Sequence, residues 1–406
     1  MNTLPQTAVP AGIALYMAVV QFLFVTTWTI YVIFLPKLLE NAGLPTNLAP
    51  IILIVDQLVF MAMDIYTGIA ADRAQKMVDR LGPLIIGMTL VSCVAFLLLP
   101  HAGHFGAAAP VLALGLMLVW TATSSALRAP PWVLLSKYAA APSVPRMNTL
   151  MLCGLAAGGA VAPYLGVVLK NTDPRLPFAL SSLTLLAATL GIVYVERQLK
   201  LSPLAPPLGT PQPAAVAGKS WPFLVGLMLL AVGFQIHYSV NAASQFLRFT
   251  APADLEWLMP VFWIGFGIAM IPGSALCKRF GTLKVMSASA VLGAFGALAA
   301  TSVASLNLLM TAQVVAGGAW GSMLMCAYTA AMAAGRTGRE GFSLGLMFAV
   351  LAAATLSRIA TVMSGAPKQQ DLAAIFSWVP VICWLAGAVV VGALALGKRD
   401  AAQVAA

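Results

Sequence analysis

The chain has 406 residues, 61% of them apolar and only 8% charged. Soluble domains carry roughly 25% charged residues, so that class is excluded. A net charge of +10 is of the sign that suits nucleic acid, but the placement of the basic residues gives a different reason for it. Fifteen lie in loops on one expected side: Arg73, Lys76, Arg80, Lys137, Arg146, Arg197, Lys200, Lys219, Lys278, Arg279, Lys284, Arg336, Arg339, Lys398 and Arg399. Four lie on the other: Lys37, Lys170, Arg175 and Lys368. Cytoplasmic loops carry such an excess, so both termini are expected in the cytoplasm, around a multi-pass chain in a bacterial inner membrane.

Apolar stretches long enough to cross a core of about 30 Å recur throughout. They predict twelve spans, near 11–36, 49–71, 82–100, 109–136, 147–169, 178–196, 220–249, 256–277, 284–304, 306–332, 341–366 and 373–397. The first carries Gln21, Trp28 and Tyr31, and ends in Lys37. The second carries Asp56, Gln57 and Asp64 inside an apolar run, then Gly68, and exits through Asp72, Arg73 and Lys76. An ionisable residue inside a span costs about 2.5–3.5 kcal/mol on insertion scales, which makes it a functional candidate. The fourth holds Trp120 and Arg128, the latter just before Pro130-Pro131, where the helix is expected to break. Between the sixth and seventh lies a segment with Pro203, Pro206, Pro207, Pro211 and Pro213, which resists folding. The expected organisation is a bundle over 1–196, a linker over 197–219 and a second bundle over 220–406. Helix 1 ending in Lys37 and helix 7 in Arg248, with Trp120 and Trp320 at similar depths, fit a duplicated six-helix unit.

In the seventh span His237, Asn241, Ser244, Gln245 and Arg248 have offsets that put them on one α-helical face. Such a stripe faces either a partner helix or a water-filled cavity. His237 can titrate near neutral pH; Arg248 is placed to snorkel to the outer interface. Gln313 and Trp320 in the tenth span and Tyr328 beyond them can line a cavity or simply pack. Arg358 in the eleventh needs an anionic ligand, an ion pair with Asp56 or Asp64, or an interface position. Cys93, Cys153, Cys277, Cys326 and Cys383 read as small packing residues. His101-x-x-His104 lacks further ligands, so no metal site is expected, and no phosphate-binding loop appears. No cofactor is expected.

The stretch Gly68-x-x-x-Asp72-Arg73-x-x-Lys76 resembles the signature between helices 2 and 3 of the major facilitator superfamily. Gln75 stands where that signature has its second glycine. With Asp64 before it and Pro83 after it, the pattern is similar to the galactoside–pentoside–hexuronide cation-symporter branch. Gly154-x-x-x-Gly158 with Pro163-x-x-Gly166 resembles the superfamily's glycine–proline element in helix 5. The resemblance implies an all-α membrane protein of twelve helices in two pseudo-symmetric bundles. It implies a cation-coupling role for the acid at Asp64, and a cytoplasmic latch at Gly68, Asp72, Arg73 and Lys76. Here Phe60 occupies the position of that branch's second acid, and helix 4 has no acid for a sugar.

The expected function is a secondary transporter moving a small polar organic solute, anions included, by alternating access, coupled to protons in preference to sodium. Asp64, Asp56 and His237 are the coupling candidates. Gln21, Tyr31, Gln57, Trp120, Arg128, His237, Asn241, Gln245, Trp320 and Arg358 are the substrate candidates. An efflux antiporter for drugs or metabolites and a sodium-coupled sugar symporter are the alternatives. A membrane enzyme is not expected, since a diphosphate-binding site needs clustered acids. The partners are the solute and the bilayer, with the chain a monomer and no nucleic acid.

Overall fold

The structure is a computed structural model that describes residues 9–76, 81–136, 139, 143–201, 220–335 and 338–404. Eleven segments among them are long and apolar enough to span a bilayer. One, Leu81–Ser136, has 56 residues, which as a single helix would reach about 84 Å at 1.5 Å per residue. It folds back on itself. Helix α3 (Leu81–Leu98) ends in a tight 3-10 stretch, Leu99–Ala108, where Gly106 takes φ 53 and lets the chain reverse into α4 (Ala109–Ser124). Counting α3 and α4 separately gives twelve crossings among the described residues. An even number puts the start of the first helix and the end of the last on one face.

The other spans are α1 (Ala11–Asn41), α2 (Ala49–Lys76), α5 (Val144–Val168), α6 (Arg175–Leu201), α7 (Ser220–Ile236), α8 (Pro260–Phe280), α9 (Thr282–Ser302), α10 (Leu306–Ala334), α11 (Glu340–Met363) and α12 (Gln370–Val404). Prolines open α4, α5 and α8, where a missing N–H costs nothing. Pro36, Pro163, Pro272 and Pro380 lie inside helices, which membrane helices tolerate where neighbours satisfy the freed carbonyls.

Two spans depart from the simple pattern. After Ser124, α4 passes through a 3-10 turn, Ser125–Leu127, and Arg128 (φ −93, ψ −84), then resumes as Ala129–Ser136. The proline pair thus breaks the span where expected. Helix α7 widens into a π-helix over His237–Asn241 and finishes as Ala242–Phe246. Periodicity alone carries no mark of this, and it rotates the second half of the expected stripe relative to the first.

Packing divides the helices into two sets. In the first, α1 lies against α5 and α6, and α3 against α4 and α6; in the second, α10 lies against α8 and α9, and α12 against α7 and α9. The sets meet chiefly where α2 packs on α11 and α5 on α8. Gly154 and Gly158 bring α5 against Ala18, Phe22 and Val25 of α1, so the glycine–proline element serves packing within the first set. Helix α10 is the most deeply buried span. The face on which α1 begins also carries Arg73, Arg279 and Arg339, and is called the basic face below. The proline-rich segment from 202 to 219 lies outside the described residues.

Candidate functional site

Three polar residues of the first six helices, Gln21, Asp64 and Arg128, meet at the break in α4. Asp64 is fully buried, and its Oδ1 lies 3.3 Å from Nε of Arg128. Neither carboxylate oxygen has a partner in hydrogen-bonding geometry. The pair is therefore a charge contact without the directional bonds that stabilise buried ions. The guanidinium is clasped between two rings, 4.7 Å from the centroid of Phe60 on α2 and 5.0 Å from that of Phe348 on α11. Phe348 belongs to the second set, so Arg128 bridges the two halves. Gln21 donates to the carbonyl of Leu127 at 2.8 Å, holding the broken turn against α1.

Asp56 lies two turns nearer the opposite face, about 12 Å along α2 from Asp64. Its carboxylate accepts from the hydroxyls of Tyr31 at 2.9 Å and Thr121 at 2.7 Å. Around it Trp28 stacks on Trp120 at 5.7 Å, Tyr31 packs on Trp120 at 4.4 Å, and Trp28 meets Phe60 edge-on at 5.3 Å. The two acids therefore differ: Asp56 has two hydroxyl donors, Asp64 a cation alone. Gln57 is buried on the same helix.

In the second set a chain of side chains runs through the bundle. Gln313 on α10 donates from Nε2 to Oε1 of Gln245 at 2.9 Å, which leaves its own Oε1 to accept from Nε2 of His237 at 3.0 Å. That order makes His237 Nε2 the protonated nitrogen, and its Nδ1 is buried with no partner. The imidazole sits against Trp384 and Phe262. Asn241 donates to the carbonyl of Phe376 on α12 at 2.9 Å, and Ser244 bonds back to the carbonyl of Asn241. Arg248 donates to the carbonyls of Ala300 and Thr301, capping the end of α9. The stripe is thus spread over α9, α10 and α12. Trp320 stacks on Phe234 at 4.6 Å. Arg358 lies in the last turns of α11, its Nε buried without a partner. The ion pair of Asp64 is with Arg128, and Asp56 is held by hydroxyls, so Arg358 is placed with neither acid.

The exit of α2 reaches across to α11. Asp72 Oδ1 accepts from the backbone N–H of Gly341 at 2.6 Å and Oδ2 from that of Phe342 at 2.8 Å. The carboxylate thereby caps the first turn of α11, where free N–H groups and the helix dipole favour negative charge. Gly68 and Gly341 touch backbone to backbone, and Gly345 faces the carbonyl of Asp64. Arg73 is exposed, and the side chain of Lys76 lies outside the described residues. Two further bonds cross between the sets on this half: Asn148 to Thr329 at 2.9 Å and Thr149 to the carbonyl of Met270 at 3.3 Å. Trp132 packs on Tyr328 beside them, ring centroids 4.2 Å apart. Asn148, Thr121 and Phe348 had no signal in the sequence beyond a polar or aromatic residue in an apolar run.

No family model matches the chain, and no curated protein does. Solved structures do match. A bacterial homologue of the iron transporter ferroportin, in an outward-facing state, aligns with TM-score 0.70 at 14% identity, covering 94% of this chain and 99% of that one. The E. coli fucose:proton symporter aligns with TM-score 0.64 at 15% identity, covering 96% of this chain and 99% of that one. A further structure of the fucose transporter, described as a major facilitator superfamily transporter in the outward conformation, gives 0.64 at 15% identity over 94% of this chain and 98% of that one. Identities this low speak to architecture, and the coverage is nearly complete in both directions. With twelve apolar crossings in two packed sets, the chain has the major facilitator fold.

Proposed function

We propose that the protein is a secondary transporter that moves a small, anionic organic solute by alternating access and couples it to protons. The observation that supports this best is the Asp64–Arg128 pair. It is buried, it lacks directional hydrogen bonds, and it lies at the seam between the two sets against Phe348. A pair so held can be exchanged. A proton on Asp64 removes the charge that occupies Arg128, and a solute carboxylate then takes its place on the guanidinium. The loaded carrier keeps the seam neutral, and so does the empty carrier once the original pair re-forms. Either can cross between states; a carrier with only the proton or only the anion bears an uncompensated buried charge and is disfavoured. Proton and anion therefore move together, as in a symporter. On this reading the acid at Asp64 has the coupling role of the cation-symporter branch that the motif resembles, with a proton in place of sodium.

In this scheme Asp72 is the latch of the basic face, taken as cytoplasmic. Gln21 positions the broken turn of α4, while Tyr31, Gln57 and Trp120 form the wall around Asp56. Arg358, with its unpartnered Nε, meets the anion on the way in from the opposite face. The His237–Gln313–Gln245 chain keeps the π-helix of α7 in register as the second set moves. Asn241 and Trp320 tie α7 to α12 and α10. The working unit is one chain, with 1–196 and 220–406 as the moving bodies and both termini in the cytoplasm of a bacterial cell.

The test begins with a thermal-stabilisation screen of carboxylates, sugar acids, sugars and amino acids, with and without sodium and at two pH values; binding raises stability by linkage. The stabilising solute is then used in proteoliposomes. Asp64→Asn is expected to lose accumulation driven by a pH gradient while retaining solute exchange between the two sides. Undiminished accumulation by that variant removes Asp64 from coupling, and stabilisation by neutral sugars alone removes the anion.

A further inference from the structure

Between α2 and α3, at the basic face, lies a cavity of about 470 Å³ that has no part in the transport scheme. Its walls are Ile69, Ala70, Ala74 and Leu84, with Tyr66, Arg73 and Pro83 at the edge. It opens outward: Tyr66 is 63% exposed, and Arg73 and Pro83 are exposed too. The exposed faces of spanning helices meet lipid, so this opening faces the bilayer. Arg73 makes no hydrogen bond or ion pair among the described residues. An apolar recess thus runs beneath an unpaired guanidinium. From Arg73 to Tyr66 the helix descends seven residues, about 10 Å, which is the distance from the headgroup level into the acyl region.

We propose that this groove binds one chain of an anionic phospholipid, with the lipid phosphate on Arg73. Charge and depth select this occupant. A guanidinium at headgroup level takes a phosphate through paired N–H bonds. Apart from the Tyr66 phenol at the edge, the walls below it are hydrocarbon, which suits an acyl chain and not a sugar or amino acid. Basic pockets between helices on the cytoplasmic side commonly take anionic headgroups. The site is independent of the cargo, and it would stand even if the transport reading fell.

A phosphatidylglycerol carrying a photoactivatable group on its acyl chain tests this, with the full-length protein in phosphatidylcholine nanodiscs. Labelling should concentrate in the peptides that contain Tyr66, Ala70 and Leu84. Arg73→Gln should lower the labelling about fivefold, the equivalent of about 1 kcal/mol for one basic residue near an anionic surface. Ala70→Trp, which fills the recess, should lower it at least as far. Arg279→Gln, at the end of α8 where the guanidinium lies over Phe280, should leave it unchanged. Either of the first two variants decides the matter alone should the other fail to fold. Labelling spread evenly over the lipid-facing helices, or unchanged in the variant, overturns the proposal. Displacement of the probe by an equal concentration of inorganic phosphate also overturns it, since the site would then take a bare anion.

Discussion

A guanidinium 3.3 Å from a fully buried carboxylate and stacked between two phenyl rings leaves little scope for substituting another residue at position 128. Arg128→Gln strands the Asp64 carboxylate, and removing one partner of a buried pair costs about 3–5 kcal/mol. Thermal unfolding in detergent should show that loss, and adding Asp64→Asn to the same chain should recover most of it. Arg128→Lys should recover less, because an ammonium keeps the charge but not the planar stacking. At this scale the candidates were legible and their pairing was not. Asp64 and Arg128 each stand out as charges inside apolar runs. Their meeting depends on the break at Arg128, which turns that side chain toward α2, and no spacing between positions 64 and 128 encodes it. Phe60 reads in the sequence as a missing acid. In the structure it is one face of the cation's clasp, a role that exists only once Arg128 is placed.

Helix α2 against α11 is the seam whose opening alternating access requires. A methyl group added at Gly341 would meet the backbone of Gly68 and, at 2.8 Å, the carboxylate of Asp72. Gly341→Ala should therefore push the two helices apart at the basic face without disturbing either helix. A cysteine placed at Ser343 should then react faster with an impermeant maleimide added from that face; unchanged reactivity would show the seam able to absorb the methyl. Asp72→Asn keeps one acceptor and loses the charge, so one charge-assisted bond to the α11 N-terminus is lost and the other is weakened, about 1–2 kcal/mol together. The same cysteine should report faster labelling. The stretch from Gly68 to Lys76 stands out in sequence through its likeness to a known motif, because short motifs carry local chemistry; that Asp72 meets the first turn of α11 is visible only in the structure. The π-helix in α7 was not legible, because five residues of altered winding leave the apolar pattern intact. With that turn in place, His237 and Gln245 still meet through Gln313, while Asn241 turns to α12 and Arg248 to α9.

Taken whole, the molecule has its side-chain hydrogen bonds between the two sets on the half toward the basic face, among the described residues: Asp72 to α11, Asn148 to Thr329 and Thr149 to α8. Toward the opposite face the crossing contacts are apolar, with aromatic rings among them: Trp263 against Gly159 and Tyr164 beside Trp257. Rings slide at less cost than directional bonds break, so in this form the basic face is the better fastened. If the two bodies are held by these contacts and not by the segment joining them, fragments 1–201 and 220–406 expressed together should co-purify. They should also regain solute exchange in proteoliposomes. Recovery of the first fragment alone would show that the linker is needed for assembly. The order and number of spans were legible because each is an apolar run of membrane length. Which faces of those spans meet was not, since lipid-facing and helix-facing positions are equally apolar and the outer surface carries Leu, Ile and Val as freely as the core.

The facing glycines at 68 and 341 have a consequence for how such a chain can vary over time. A charged contact can be reversed or moved by two compensating changes. Two backbones in contact offer no second change that restores the first, because any side chain on either residue adds volume where none is available. Drift at this seam therefore meets a one-sided barrier. Among relatives that keep the same closure, both positions should be held fixed independently, while the neighbouring ion pair at 64 and 128 should vary as a couple.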